Sequence, residues 1–583
     1  MIARNESRRE LKLRRRLVVG LFMFGALVLA WRALDLQINK REFLQSHGDA
    51  RYLRTERIDA NRGMILDRNG EPLAISTSTQ SAWVQPRRFV ESRDKWPKVC
   101  KILGIPLDQL ETLIMPRLDK KFVYLQRHLT PDEGDALKRL EIVGLNLQEE
   151  QRRYYPAGEV TAHILGFTNV DDQGQEGVEL SYDHILKGEP GQRRVIKDRL
   201  GRVVEDVERL RATRPGKDVY LSIDQRIQYA AYRALKIAVQ KNEARAGMMV
   251  VVDPRSGEVL ALVNQPSFNP NNRDNLNSER YRNRAVTDLF EPGSTLKPFT
   301  LAAALETGQY KPESTIDTSP GRFKIGKDTV RDIKNYGLLD LGGIIEKSSN
   351  VGASKVALSL EPEVLWKAFR DFGFGSISEI ALPGEGYGRL NEFRNWSEIE
   401  HATLAFGYGL SVTAAQLARA YTVLASDGWM QPLSIVRVDA AGPRKRIIAA
   451  KTAQQIRSML TRVITKGTGA LAAVPGYSVA GKTGTVHKSI SSGYAEHRYR
   501  SLFAGMIPAD NPRLVAVVII DEPQRGAYYG GKVAAPVFAS VMRDAVRILN
   551  IPPDQPVQAT PETVWLATGR DGHAGMSAAE SMQ

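Results

Sequence analysis

A serine and a lysine three positions apart, Ser294 and Lys297 in "FEPGSTLKPFT", are the first candidates for chemistry in this chain. Side chains at i and i+3 are neighbours on a helix, so the lysine could take the proton whose loss makes a serine nucleophilic. The spacing alone is ambiguous, because Ser92 and Lys95 repeat it inside a charged run. A serine at this place is also typical of a helix N-cap.

Two further polar motifs follow in the second half of the chain. They are Ser348-Ser349-Asn350 in "IIEKSSNVGASK" and the run 482–485, Lys-Thr-Gly-Thr, in "VAGKTGTVHK". Taken singly, the first could be a turn between helices and the second a strand with a bulge glycine. Taken in this order, with each motif on a fitting element, the three indicate a catalytic constellation.

Lys297 can act as a base only in its neutral form. It lies at the start of the apolar run "KPFTLAAALE", and burial lowers the pKa of an amine. A second ammonium nearby, from Lys482, would lower it further. Pro298 is compatible with a helix that begins here, since first-turn amides have no intrahelical partner.

Strand patterns at both ends of the second half must position these motifs. "GMMVVVDPRSGEVLALVN" predicts an antiparallel hairpin, and it follows a helix that begins after Asp224. "GYSVAGKTGT", "YRSLFAGMIP" and "RLVAVVIIDEP" predict an antiparallel meander near the other end. A helical block over about 290–465 separates the two. We expect an α+β fold, an α/β sandwich with a central antiparallel sheet and helices on both faces.

The amino end predicts a membrane anchor. Residues 1–16 carry seven Arg or Lys and two Glu, and the fifteen residues Leu17–Trp31 carry no charge. With the apolar residues that follow, 17–38 is long enough for one span. A cleaved signal peptide is the alternative, but a small-residue cleavage site is not evident. With a retained anchor, the basic residues would stay cytoplasmic and the rest of the chain would lie outside.

Composition excludes several other classes of protein. A single cysteine, Cys100, rules out an internal disulfide framework and a cysteine-based zinc site. The eight histidines lack an HExxH pair, so we expect no metal, and His487 is expected to be a solvated loop residue. The net charge of +15 comes without a nucleic-acid-binding motif. The polar tail, 551–583, is expected to be disordered.

The three motifs in this order resemble those of the serine penicillin-recognising enzymes. The stretches "RGMILDRNGEPLA", "EGVELSYDHILKGEPG" and "YYGGKVAAPVF" are similar to the class B, high-molecular-mass penicillin-binding proteins. The resemblance covers nearly all of residues 10–545. It implies an elongated, β-rich, non-catalytic pedestal or dimerisation-like module over 39–215 and a transpeptidase domain over 216–550.

The resemblance also implies a role for each motif residue. Ser294 would be the nucleophile and Lys297 its base, Ser348 would relay protons towards the amine, and Asn350 would hold Lys297 and the substrate amide. The remaining candidates would contact the substrate or provide positive potential: Lys482, Thr483, Gly484, Thr485, Ser349 and Tyr408. The backbone N–H groups of Ser294 and Thr485 would form the oxyanion hole.

The implied function is a peptidoglycan D,D-transpeptidase of the division septum that needs no cofactor. Ser294 would attack the D-Ala-D-Ala amide of a stem peptide, and an amine from a neighbouring stem would resolve the acyl-enzyme. β-Lactams would acylate the same serine. The implied partners are stem peptides, β-lactams, the membrane, a glycosyltransferase of the FtsW type and other division proteins. The implied location is the inner membrane, with a single span and a periplasmic catalytic domain.

Three alternatives stay open at this point. An elongation-type transpeptidase shares all three motifs. A D,D-carboxypeptidase or β-lactamase would use the same acylation and let water deacylate, although a secreted lactamase needs neither the anchor nor residues 39–215. A non-catalytic β-lactam sensor or division scaffold is the third, but sixteen residues ahead of the anchor cannot supply a signalling domain.

Overall fold

The computed structural model describes residues 3–42, 53–197, 203–273, 277–439, 442–490 and 493–556. They form two compact units, one from 1–61 with 187–216 and one from 62–186 with 217–583. The first unit contains the helix Ala3–Leu34, which continues into a π-helical turn at Asp35–Asn39. The stretch Leu13–Asn39 is long and apolar enough to cross a membrane, as judged by length and composition alone.

A three-stranded antiparallel sheet completes the described part of the first unit. Its strands, in spatial order, are Leu53–Ile58, Gly191–Lys197 and Val203–Arg211. The middle strand carries three basic residues, Arg193, Arg194 and Lys197, and its Val195 is buried. The first two strands are far apart in sequence, so their pairing joins the two segments of the chain that make up this unit.

The second unit begins with a mixed module over 62–186. Its strands are Ile65–Leu66, Pro72–Val84, Val123–Leu129 and Leu145–Tyr154. Its helices are Pro86–Phe89, Trp96–Leu103, Leu107–Ile114, Pro131–Arg139, Ala162–Leu165, Gly177–Ser181 and Asp183–Leu186. Asn69 and Gly70 turn the chain between the first two strands, and Gly70 has a φ of 92°.

A buried ion network holds this module together. Glu179 is fully buried and accepts from Arg62 Nε at 2.7 Å and from Arg153 Nε at 2.6 Å. Arg62 also contacts Asp183 at 2.6 Å. Buried charges persist only when they are paired and hydrogen-bonded, so these distant parts of the sequence are fixed in one arrangement.

The central sheet of the second unit has five antiparallel strands, in agreement with the predicted hairpin and meander. Their spatial order is Val259–Gln265, Ala246–Val252, Leu514–Asp521, Gly493–Ile507 and Ala480–Ile490. The strand Ala480–Ile490 carries the Lys-Thr-Gly-Thr motif at the end of this order. Among the described strands, the motif therefore lies on an edge strand, which pairs only with Gly493–Ile507.

Apolar side chains of the sheet pack into two cores, one on each face. Val517 belongs to one core and Val518 to the other, so every residue of the strand Leu514–Asp521 is buried. The helices Gln225–Lys241 and Ala535–Ile548 cover one face. The helices Lys297–Glu306, Ala414–Ala425 and Ala450–Thr465 cover the other. The α+β sandwich is confirmed.

Shorter elements complete the fold around the motifs. The remaining helices are Ser278–Tyr281, Arg284–Thr287, Leu341–Lys347, Asn350–Leu358, Pro362–Asp371, Glu398–Leu404 and Gly530–Val533. Paired short strands are Thr315–Asp317 with Leu338–Asp340, Arg322–Ile325 with Asp328–Arg331, and Trp429–Met430 with Lys445–Arg446. A last short strand, Val219–Tyr220, runs parallel to Ile65–Leu66.

Only the beginning of the predicted tail lies within the described residues. Tyr477 Oη donates to the carbonyl oxygen of Ile551 at 2.6 Å, and the backbone N–H of Ser478 donates to Asp554 Oδ1 at 2.7 Å. These contacts join the beginning of the tail to the rest of the second unit, whereas 557–583 lie outside the described residues. The domain ranges inferred from the sequence stay predictions.

Candidate active site

Ser294 lies in a 3₁₀ turn, Gly293–Leu296, that leads directly into the helix Lys297–Glu306. Pro298 occupies the first turn of this helix, as predicted. The N-cap residue is Pro292 for the turn and Leu296 for the helix, not Ser294. The Ser294 hydroxyl is partly exposed and takes part in contacts with side chains instead, so the N-cap interpretation does not apply.

Lys297 Nζ lies at the centre of four polar contacts. The two shortest are to carbonyl oxygens, Ser348 O at 2.6 Å and Asn350 Oδ1 at 2.8 Å. Ser294 Oγ lies at 3.1 Å and Ser348 Oγ at 3.2 Å. Carbonyl oxygens only accept, so they take the two N–H bonds of a neutral amine. The lone pair of that amine is then left for a hydroxyl proton.

The Ser-Ser-Asn motif joins two helices at a tight corner. Ser348 ends the helix Leu341–Lys347 with a left-handed φ of 60°. Ser349 is the N-cap of the helix Asn350–Leu358 and accepts from Gly352 N at 2.9 Å. The turn between helices that the sequence suggested is therefore present, and it carries the motif.

Lys482 extends the hydrogen-bonded group to the edge of the sheet. Its Nζ donates to Ser348 Oγ at 3.0 Å and to Thr483 O at 3.0 Å. Ser348 Oγ lies 2.9 Å from Ser294 Oγ. The three motifs thus converge on one chain of contacts that runs from Lys482 through Ser348 and Ser294 to Lys297.

Both lysines of this chain are fully buried. Burial lowers the pKa of Lys297 well below its usual value, and the nearby charge of Lys482 lowers it further, while Asp332 opposes the shift. Burial lowers the pKa of Lys482 to about 7. An amine with a depressed pKa can accept a proton at neutral pH, as the sequence predicted for Lys297.

The threonines of the third motif point to different neighbours. Thr483 Oγ1 is 2.7 Å from Thr468 Oγ1, and Thr485 Oγ1 accepts from Gly530 N at 3.0 Å. Gly484 lies against the nucleophile turn, because a Cβ there would be 3.1 Å from Thr295 Cγ2 and 3.3 Å from Pro292 O. The glycine allows the strand and the turn to approach closely, as expected.

Three residues, Ser349, Tyr408 and His487, lie outside the chain of contacts from Lys482 to Lys297. The Ser349 hydroxyl is buried, donates to Asp332 Oδ2 at 2.5 Å and accepts from Gly352 N, so it caps a helix and is not free for a substrate contact. Tyr408 is partly exposed and packs edge-on against Tyr494 at a centroid distance of 5.6 Å. The loop assignment of His487 was wrong: it is exposed on the strand Ala480–Ile490 and contacts the ring of Tyr499.

The sequence and the fold both match known proteins. The penicillin-binding protein transpeptidase domain matches residues 247–543, and the penicillin-binding protein dimerisation domain matches residues 57–221. The chain belongs to the penicillin-binding protein transpeptidase family. It is 42% identical over 544 residues to the peptidoglycan D,D-transpeptidase FtsI of Escherichia coli K12, with 92% of each chain covered.

Two further matches agree with this membership. The chain is 42% identical over 539 residues to the probable peptidoglycan D,D-transpeptidase PbpC of Pseudomonas aeruginosa, which covers 92% of this chain and 95% of that protein. The solved transpeptidase domain of Burkholderia pseudomallei penicillin-binding protein 3 is 43% identical, with a TM-score of 0.54. It covers 58% of this chain and 98% of the solved one.

In this penicillin-binding protein, several residues that support the motifs were not found from the sequence. Asp332 accepts from Ser349 Oγ, from Asn350 N at 2.5 Å and from Val351 N at 3.1 Å, so it holds the second motif in place. Asp332 is 17 positions from Ser349, and no local pattern indicates the contact. Gly530 lies in "YYGGKVAAPVF", a stretch that carried the resemblance without an assigned role.

Proposed function

We propose that this penicillin-binding protein is a D,D-transpeptidase that cross-links peptidoglycan stem peptides at the division septum. Ser294 attacks the D-Ala-D-Ala amide, D-alanine leaves, and an amine of a neighbouring stem takes the acyl group. β-Lactams acylate the same serine. The names of the relatives and the three motifs support this reaction.

One observation carries the proposal, the contact chain Lys482–Ser348–Ser294–Lys297. The Lys482 ammonium donates to Ser348 Oγ, and Ser348 donates to Ser294 Oγ. When Lys297 is neutral, the 3.1 Å contact between Ser294 Oγ and Lys297 Nζ lets Ser294 donate to the lone pair of the amine. Each hydroxyl then accepts one hydrogen bond and donates one, so the hydrogen bonds all run in the same direction, from Lys482 to Lys297. As Ser294 attacks, its proton passes to Lys297. Ser348 then gives its proton to the departing amine and takes one from Lys297 Nζ, which lies 3.2 Å from Ser348 Oγ, so Lys297 returns to its neutral form.

The third motif supplies the substrate contacts in this scheme. Thr485 Oγ1 already accepts from Gly530 N, so its own proton can be donated to the terminal carboxylate of a stem peptide. Thr483 has the same chemistry, and Lys482 adds positive potential. Asn350 holds Lys297 and reaches the substrate amide, and Tyr408 forms a side of the cleft. The backbone N–H groups of Ser294 and Thr485 would stabilise the oxyanion, worth about 3–4 kcal/mol per donor in other enzymes.

A covalent adduct tests the nucleophile. Benzylpenicillin should add its whole mass to Ser294, because opening of the lactam ring releases no fragment. Intact-mass spectrometry with peptide mapping locates the adduct, and Ser294→Ala should show none, while Ser92→Ala, at the other Ser-x-x-Lys site, should acylate normally. An adduct on another residue would exclude Ser294 as the nucleophile.

The lifetime of this adduct separates the transpeptidase from the alternatives. A transpeptidase keeps water from its acyl-enzyme so that an amine can reach it, and the adduct should persist through repeated sampling. Rapid loss with accumulation of hydrolysed penicillin would indicate a β-lactamase. A stable adduct without cross-linking of any stem-peptide substrate would indicate a sensor or scaffold.

The rate of acylation should depend on pH through both lysines. The rate should fall on acidification as Lys297 is protonated, and it should fall above about pH 7 as Lys482, whose pKa is lowered to about 7 by burial, loses its charge. In Lys482→Met, the acid limb should move to higher pH, because one of the two effects that lower the pKa of Lys297 is gone. Second-order acylation rates measured across pH check this, and an acid limb that stays in place would contradict it.

The chain is membrane-anchored, and we propose the orientation and partners of the relatives' class. The seven basic residues in 1–16 favour a cytoplasmic amino end and a periplasmic catalytic domain in the inner membrane. A reporter that is active only outside the membrane should be active when fused after residue 45, and an inactive fusion would reverse the topology. A glycosyltransferase of the FtsW type and other division proteins are the proposed partners, and co-purification of the two membrane proteins tests this.

A further inference from the structure

A small polar cavity lies in the second unit, apart from the catalytic residues. It has a volume of about 60 Å³ and is bounded by the strand Leu145–Tyr154, by the turn 168–172 and by the segment 270–273. Residues 151–172 fall within the part matched by the dimerisation domain, and 270–273 fall within the transpeptidase part. The cavity therefore lies where these two regions of one compact unit meet.

Three buried polar atoms of residues that line the cavity have no hydrogen-bond partner in the described part of the chain. They are Arg153 Nη2, His128 Nε2 and Asp172 Oδ1. The Arg153 side chain is only 1% exposed, and its other nitrogens bond to Glu179 and Ser76. A buried polar atom without a partner costs about 1–3 kcal/mol. Three of them around one cavity indicate that something polar occupies it.

The charges around the cavity are mainly positive. Arg152 and Arg273 also line it, and neither has a carboxylate within ion-pair distance among the described residues. Each donates to a backbone oxygen, Arg152 to Asn271 O at 3.4 Å and Arg273 to Thr168 O. These contacts fix the guanidinium groups at the wall of the cavity. A fixed cluster of guanidinium donors is suited to an oxyanion.

Asp172 is the one carboxylate in the lining of the cavity. Burial raises its pKa to about 6, although Arg62 and Arg153 oppose the shift and Glu179 and Asp183 add to it. In its protonated form, Asp172 becomes a donor. The pKa of His128 is lowered by burial and by Arg127, Arg152 and Arg273, while Glu150, whose Oε2 lies 3.9 Å from His128 Nε2, opposes the shift. The neutral ring can donate when Nε2 carries the proton.

We propose that this cavity binds a small oxyanion, a phosphate or a carboxylate, held by Arg152, Arg153 and Arg273. The volume of the cavity fits an ion of four or five heavy atoms. It also fits about two waters, which take about 30 Å³ each in the liquid. The positive lining favours the anion over water alone. Bound there, the anion joins the strand Leu145–Tyr154 to residues 270–273. The site is independent of the proposed acyl transfer.

Thermal melting of the detergent-solubilised full chain tests the site. Inorganic phosphate and acetate are added separately, and chloride at matched ionic strength is the reference. Phosphate or acetate should raise the melting temperature in a saturable way, and the stronger of the two shows which oxyanion chemistry the cavity prefers. Arg152→Gln should weaken the binding of that anion by about tenfold or more, since a charge-assisted hydrogen bond is lost.

Two matched variants sharpen the result. Arg139→Gln removes the same charge from an exposed site on the helix Pro131–Arg139 and should bind the anion as the parent does. Asp172→Asn keeps the shape and tolerates the left-handed φ of 60° at this position, and it should bind the anion more tightly because the opposing charge is gone. All three variants should be acylated by penicillin at the parental rate, which confirms that they are folded.

The proposal is overturned if phosphate and acetate act no differently from chloride, which would leave the cavity to water. It is also overturned if Arg152→Gln and Arg139→Gln respond alike, or if Asp172→Asn weakens the response.

Discussion

Lys297→Arg should acylate with a fluorescent penicillin about 10²–10⁴-fold more slowly than the parent, which is the range of general-base catalysis. Arginine stays protonated at any working pH and cannot accept the Ser294 proton. Its planar fork also does not fit the niche in which a single nitrogen contacts Ser348 O and Asn350 Oδ1. The measurement is the second-order acylation rate beside a thermal melt.

The chain offers a matched control for this substitution. Lys95 belongs to the other Ser-x-x-Lys site and donates only to a backbone oxygen, Leu140 O, at 3.1 Å. Lys95→Arg should therefore acylate like the parent. Lys297→Met removes the amine with little change in volume and covers the case in which the arginine variant does not fold. A folded Lys297 variant that acylates within a few-fold of the parent would mean that another group activates Ser294.

Gly407→Ala should be nearly as damaging, although residue 407 carries no reactive group. A Cβ at this position would lie 2.2 Å from Gly293 O and 2.5 Å from Gly293 N. Gly293 donates to Gly407 O at 3.1 Å and directly precedes the nucleophile. The methyl group must push the turn Gly293–Leu296 away and break the contacts of Ser294. A displacement of about 1 Å can cost about 10²-fold in rate.

Gly409 provides the control for backbone strain. Its φ is 87°, against 86° at Gly407, so alanine meets the same conformational penalty at both positions. Around Gly409, however, the nearest atom to a new Cβ is Leu404 Cδ2 at 3.8 Å. Gly409→Ala should acylate close to the parental rate. Its melting temperature should fall only by the backbone penalty that the two variants share. Equal acylation by the two variants would show that the turn tolerates displacement.

Local chemistry explains which features could be predicted from the sequence. Alternating and continuous apolar runs predicted the strands of the central sheet, because burial on one or both faces leaves that pattern. Asp224 predicted the start of the helix Gln225–Lys241, and its side chain accepts from Arg226 N. The positions of Ser294, Ser348 and Lys482 were recognisable because each motif is a short run of particular residues. That they meet within hydrogen-bonding distance was an inference from resemblance alone.

The roles of the supporting residues depended on distances through space. Ser349 could have faced substrate or the protein interior, and its bonds to Asp332 and to Gly352 N show that it lies in the interior as the cap of a helix. His487 follows the third motif and could have lain in a loop, but the strand Ala480–Ile490 continues through it. The bond between Ser349 and Asp332 has no local signal, because hydrogen bonds between separate segments are not encoded in the spacing of either segment.

The sequence by itself determined the reactive groups, the strands and helices that carry them, the apolar anchor and the family. The tertiary structure alone decided that Lys297 is fully buried beside Lys482, that Asp332 holds the second motif, and that Gly407 touches the nucleophile turn. The physical reason is that residue type and spacing govern local conformation. Burial, pKa and close backbone approach arise only when separate segments pack together, whether 17 positions apart, as Asp332 and Ser349 are, or 54 positions apart, as Ser294 and Ser348 are.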